Sequence, residues 1–177
     1  MMLIKRLFNS VLEYLEEKSN YIQVNISIPK DIFLRTELIC KYISKSENCS
    51  FDISTFIILL YLDFIKDCIE NYNPKKLLDR LRHEYVKDRS IIISNGYENY
   101  QVEDNTISYY NLSIIFDKEE AAKGNLILDE IFELFHTKFS FNTLIEKLWI
   151  GFIQTYKYGD NRKAFNHIRD ILKDNIL

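Results

Sequence analysis

Hydrophobic and polar residues alternate with period two in two short stretches. Gln23-Val24-Asn25-Ile26-Ser27-Ile28 runs into Pro29, and Asn111-Leu112-Ser113-Ile114-Ile115-Phe116 runs into Asp117. Successive side chains of a strand point to opposite faces. Each stretch therefore predicts a strand with one buried face: Val24, Ile26 and Ile28 in the first, Leu112, Ile114 and Phe116 in the second. Pro29 cannot extend a ladder and suits the first turn of a helix. Helical spacing follows both stretches. A first helix is predicted over 30–46 and again over 118–135, with Leu38, Ile39 and Ile43, then Leu126, Ile127 and Ile131, marking its apolar side. A second helix begins at Asp52-Ile53-Ser54-Thr55 and at Ser140-Phe141-Asn142-Thr143, and runs to 72 and 158. Asp52 and Ser140 are suited to cap it, because a side-chain oxygen accepts a free first-turn amide. A third helix is expected over 77–86, after Asn73-Pro74, and over 164–172, after Gly159-Asp160-Asn161.

The two sets of elements are one unit repeated at an offset of 88 residues. Residues 22–75 laid on 110–163 without a gap give 13 identities in 54 positions, among them Ile26/Ile114, Leu38/Leu126, Ile43/Ile131, Thr55/Thr143 and Leu60/Leu148. Tyr61/Trp149 adds an aromatic match. An Ile-rich chain produces some matches by chance, but here the order of elements repeats together with the letters. The copies differ at one informative place: Ile58-Leu59 of the first stands where the second has Glu146-Lys147. The extra apolar face calls for a cover. The amphipathic stretch with Leu3, Leu7, Val11 and Leu15 at helical spacing is expected to supply it. That stretch lacks the continuous apolar run of a signal peptide. Between the units, Asn95-Gly96 between alternating segments signals a hairpin, either a small wing or an extension of the second strand. The organisation expected is an N-terminal helix (1–21), a first unit (22–88), a hairpin linker (89–109) and a second unit (110–177).

Composition agrees with this mostly α reading with short strands. Hydrophobic residues make up 47% of 177, enough for a real core, and only 4 Gly and 2 Pro interrupt them, which favours helices over a turn-rich β fold. Cys40, Cys49 and Cys68 are odd in number and lie in or beside helical patterns, so they read as reduced, core-lining thiols of a cytoplasmic protein. The apolar run from Phe56 to Leu62 is far too short to span a bilayer. No zinc spacing and no Gly-rich phosphate loop occurs, and His83, His136 and His167 are widely separated. Adjacent glutamates such as Glu119-Glu120 diverge on a helix and form no catalytic pair. Neither an enzyme, a metal nor a cofactor is expected.

The order strand, Pro, helix, then a helix opening Ser140-Phe141-Asn142-Thr143-x-Ile145, resembles the ribbon–helix–helix family. Gln23-x-Asn25-Ile26-x-Ile28-Pro29 resembles the strand of its Arc-repressor type. The resemblance covers about 22–72 and 110–158. It implies a two-stranded antiparallel ribbon that enters the DNA major groove. A tandem chain would supply both strands itself as an intrachain pseudodimer, as relaxosome proteins of the TraY type are thought to do. It further implies that Gln23, Asn25 and Ser27, with Asn111, Ser113 and Ile115 opposite, read bases. The helix starts near Ser54, Thr55, Asn142 and Thr143 would hold backbone phosphates.

Charge complicates this expectation. The net charge is −3, and neither strand carries Arg or Lys. From Glu98 to Glu146 there are ten acidic residues and three lysines. Asp52 stands where a phosphate would approach, and the first helix is about one turn longer than is usual in the family. Lys75, Lys76, Arg80, Arg82, Lys87 and Arg89 outnumber Asp79, Glu84 and Asp88 between 74 and 89, as a solvated face or a phosphate patch. Tyr97, Tyr100, Tyr109 and Tyr110 read as half-buried sheet packing or, less simply, a stacking surface for single strands. The leading expectation is sequence-specific binding of double-stranded DNA, as a transcriptional regulator or an accessory protein of a plasmid, phage or other mobile element. The second is a scaffold of the same shape that binds a protein through its acidic second unit. A homodimer is compatible with either.

Overall fold

In a computed structural model, residues 20–85, 90–94, 99–103 and 107–159 are described, with Ile168 and Asp170. The described chain is mostly helical, with short strands. It runs β1 (Tyr21–Pro29), α1 (Lys30–Ser46), α2 (Ile53–Asn71), α3 (Pro74–Arg82), β2 (Ser90–Ser94), β3 (Asn99–Glu103), β4 (Tyr109–Asp117), α4 (Lys118–Phe135) and α5 (Phe141–Tyr158). The starts of β1, α1 and α2 recur 88 residues later as the starts of β4, α4 and α5.

β1 and β4 pair antiparallel, Tyr21 opposite Asp117 and Pro29 opposite Tyr109. Asn25 faces Ser113, its own counterpart at the 88-residue offset, so the ribbon is centred on that pair. The alternation read from sequence holds. Val24, Ile26, Ile28, Ile114 and Phe116 are buried and Leu112 is half-buried. β2 and β3 form a separate two-stranded sheet, Ser90 opposite Glu103 and Ser94 opposite Asn99, so the linker is a wing and not a continuation of β4. Its Asn95-Gly96 turn lies outside the described residues.

The helices begin where local chemistry places them. Asp52 accepts from the Thr55 amide at 2.8 Å and Ser140 from the Thr143 amide at 3.1 Å, each capping its helix as expected. Asp117 caps α4 by accepting from the amides of Glu119 and Glu120. Asn73 accepts from the Lys76 amide with Pro74 in the first turn, which starts α3 three residues before the expected 77. α3 also stops earlier, at Arg82; beyond it Tyr85 reaches back and donates its hydroxyl to Asp31. Of the third helix expected over 164–172, only Ile168 and Asp170 are described. Both are helical, and Ile168 is buried.

The core lies beneath the inner face of the ribbon. Phe116, Tyr61 and Phe141 meet edge to face there, with ring centroids 5.4–5.5 Å apart. The matched pair Tyr61/Trp149 ties the halves together reciprocally. The Tyr61 hydroxyl on α2 donates to the Glu120 carbonyl of α4 and accepts from the Gly124 amide at 3.0 Å. Trp149 on α5 donates its indole N–H to the Thr36 hydroxyl of α1 at 2.7 Å, and that hydroxyl donates to the Ile32 carbonyl. Positions 32 and 36 are the counterparts of 120 and 124 at the same offset. Each second helix thus fastens the first helix of the other half.

Two assignments are corrected. Leu38 and Leu126, read as part of the apolar side of the first helices, are 68% and 62% exposed. The buried face of α1 runs through Ile32, Thr36, Ile39, Cys40 and Ile43, and one helix cannot turn 38 and this row inward together. Cys40 is buried, while Cys49 and Cys68 are half-buried and all three are free, as expected of core-lining thiols. Burial pushes the Cys40 thiol up to about 12 and the Cys68 thiol to about 11. The N-terminal helix expected to cover Ile58 and Leu59 lies outside the described residues; those two side chains are half-buried.

Candidate nucleic-acid interface

Six outward side chains stand at the centre of the ribbon, Gln23, Asn25 and Ser27 on β1 and Asn111, Ser113 and Ile115 on β4, with exposed Tyr21 and Tyr109 on the same face towards its ends. All six central residues are exposed. Gln23 stands opposite Ile115, Asn25 opposite Ser113 and Ser27 opposite Asn111. The central pair is joined. Ser113 Oγ donates to Asn25 Oδ1 at 2.6 Å, and Gln23 Nε2 approaches the same oxygen at 3.4 Å. Asn25 Oδ1 is thereby engaged, which leaves its Nδ2 group as the donor this amide can offer a ligand.

The register also fixes which backbone groups are left over. Lys30 donates its amide to the Ser108 carbonyl, and Lys118 to the Asn20 carbonyl, so even-numbered residues of β1 face β4 across the ladder. The odd-numbered backbone groups of β1 face away. Two of them meet α5. Asn142 Nδ2 donates to the Asn25 carbonyl at 2.6 Å, and Glu146 Oε1 accepts from the Ser27 amide at 2.9 Å. One turn of helix thus spaces two side chains to close the outer edge of β1. On the opposite edge the counterparts of Asn142 and Glu146 are Ser54 and Ile58, and Ile58 cannot accept a hydrogen bond. In the sequence Glu146 stands out only as a charged residue where the first unit has Ile58. Its role depends on where α5 crosses β1, which no local pattern encodes.

The helix starts proposed as phosphate holders are built differently. At α2, Asp52 Oδ1 accepts from both the amide and the hydroxyl of Thr55, each at 2.8 Å. These bonds hold the Asp52 carboxyl below its usual range, so it is ionised at neutral pH. An anion already occupies that helix start, with half-buried Ser54 beside it. At α5, Ser140 is a neutral cap. It takes the Thr143 amide and lies 2.9 Å from the Thr143 hydroxyl. The Asn142 side chain is engaged with β1, and both Asn142 and Thr143 are half-buried. Of the two starts, the one at α5 is the more open to a phosphate.

The basic stretch of α3 is partly spent within the fold. Arg82 donates to the Thr137 hydroxyl at 2.8 Å, and the Arg80 guanidinium lies alongside Gly151. Lys75 and Lys76 are exposed, whereas Lys87 and Arg89 lie outside the described residues. Tyr110 stacks on Phe33 with centroids 4.4 Å apart and Tyr109 is exposed; nothing is described of the side chains of Tyr97 and Tyr100. Among the described residues no group of His, Cys, Asp or Glu side chains could hold a metal ion, and no helix is long and apolar enough to cross a membrane. No family model, no curated protein and no solved structure matches the chain.

Proposed function

We propose that this chain is a sequence-specific double-stranded DNA-binding protein, a tandem ribbon–helix–helix pseudodimer that inserts β1 and β4 into the major groove. The observation that carries the reading is the outer face of the ribbon. Six exposed side chains at its centre, five of them polar, stand over a buried apolar face in a register centred on Asn25 and Ser113, with exposed Tyr21 and Tyr109 towards the ends of the same face. The repeated element starts and the reciprocal Tyr61 and Trp149 bonds support the pseudodimer. Recognition would be donor-rich at the centre. With Oδ1 taken by Ser113, Asn25 suits an acceptor such as guanine O6 or thymine O4. Ile115 suits a thymine methyl, and the amides at the α5 start would take a phosphate. The role would be that of a transcriptional regulator or an accessory protein of a mobile element.

A second reading is a protein-binding scaffold, favoured by one specific feature. The Glu146 carboxylate sits on the edge of a ribbon whose strands hold no cation. One experiment decides. Purified protein is mixed with genomic fragments, and the bound DNA is sequenced at low and moderate salt. The DNA reading expects a motif that persists at moderate salt and is lost in the Gln23→Ala/Asn25→Ala variant without loss of stability. Recovery of no DNA even at low salt removes that reading in favour of a protein partner.

A further inference from the structure

The two first helices each expose an apolar residue at the same place, and the charges at two positions following it on the same side are reversed. Leu38 on α1 is 68% exposed, and its counterpart Leu126 on α4 is 62% exposed. Leu34, one turn before Leu38 on α1, and Leu134, two turns after Leu126 on α4, are also exposed. Three and seven residues after the central leucine, on the same side of the helix, α1 carries Lys41 and Lys45. At the counterpart positions α4 carries Asp129 and Glu133. All four charged residues are exposed. Lys41 has an ion pair with Glu37 at 3.2 Å, but both partners are open to solvent, so it is weak and readily exchanged.

We infer that these faces are the two halves of one interface, and that α1 of one copy docks on α4 of a second copy of this chain. Leu38 and Leu126 would bury each other, with Lys41 and Lys45 set against Asp129 and Glu133. The alternatives that bury the same leucines are disfavoured by charge. α1 on α1 sets lysines against lysines, and α4 on α4 sets carboxylates against carboxylates. The contact also does not close within one chain. α1 leaves the ribbon at Pro29, opposite Tyr109, whereas α4 leaves it at Asp117, opposite Tyr21. The two helices therefore depart from opposite ends of a ribbon about 30 Å long. A contact between unlike faces at opposite ends is head to tail, and it adds further copies unless a rotation closes a ring. The inference does not depend on what the ribbon binds.

Sedimentation of the full chain over a wide concentration range, without DNA, tests it. The wild-type mass should rise with concentration. Lys41→Glu/Lys45→Glu and Asp129→Lys/Glu133→Lys should each weaken association at least tenfold while keeping the wild-type far-ultraviolet spectrum. An equimolar mixture of the two variants should associate again, because each then offers the other an opposite charge. A single chain carrying all four substitutions should regain self-association. A wild type that stays monomeric throughout would overturn the inference. So would association that survives either reversal, or folded variants whose mixture and four-fold combination both fail to recover it.

Discussion

Tyr61 and Trp149 occupy the same position in the two halves but demand different partners. The Tyr61 hydroxyl must reach a backbone amide, so the residue above it cannot carry a side chain. A Cβ at Gly124 would sit 2.8 Å from that hydroxyl and 2.7 Å from Phe141. Gly124→Ala is expected to cost about 1–3 kcal/mol, as overpacking of a full core does, read from the urea midpoint. Trp149 instead bonds a side chain, and Thr36 supplies the hydroxyl. Thr36→Val keeps the shape but strands a buried indole N–H, at a cost of about 1–3 kcal/mol. Trp149 is the only tryptophan, so its emission reports the loss directly. Burial also raises the Tyr61 phenol to about 12. The unfolded chain releases this proton near the ordinary value of 10. The contribution of Tyr61 is therefore complete below pH 10 and lost as pH rises towards 12. Tyr61→Phe should remove this part of the alkaline fall in stability.

The start of α2 and the outer edge of β1 set the chemistry of the ribbon. Asp52→Ala should destabilise the protein by about 1 kcal/mol, as the loss of a cap does. Because its folded pKa is depressed, the Asp52 contribution is present above the unfolded value of 3.8 and is lost as pH falls through the lower folded value. Asp52→Ser keeps a cap and removes the anion. On the DNA reading it should tighten binding and steepen the salt dependence. Glu146→Ala should speed exchange of the Ser27 amide while leaving the amides that pair across to β4 protected, which hydrogen exchange by NMR resolves. Although α3 starts and stops earlier than its letters suggest, strand faces, the Asp52 and Ser140 caps and the limits of the first and second helices were legible in the sequence because periodicity and first-turn chemistry are local. The exposed Leu38 and Leu126 were not. In a helix rich in Ile and Leu the letters alone do not say which row faces the core, and Ile39 sits next to Leu38. The roles of Asn142 and Glu146 were hidden for another reason: they depend on the crossing of α5 over a strand more than a hundred residues away.

Across the whole molecule, the ribbon joins strands that lie far apart in sequence, and each second helix fastens the opposite first helix. Neither half then holds a complete core. Trp149 emission and far-ultraviolet ellipticity should report one coincident unfolding transition, with a midpoint independent of protein concentration in denaturant strong enough to separate copies. A chain ending at residue 108 lacks β4 and should show no cooperative transition.

The pair at the centre of the ribbon has a genetic consequence. In a dimer of identical chains, a residue on the axis meets itself, and every mutation is made twice. Here Asn25 meets Ser113, a donor–acceptor pairing that two identical serines or asparagines would have to form differently. One codon change alters one side of the ribbon only. Its damage is borne once, and its benefit can be selected without agreement from the other side. Two strands carried by one chain can therefore diverge one substitution at a time, as Asn25 and Ser113 already differ across the centre of this ribbon.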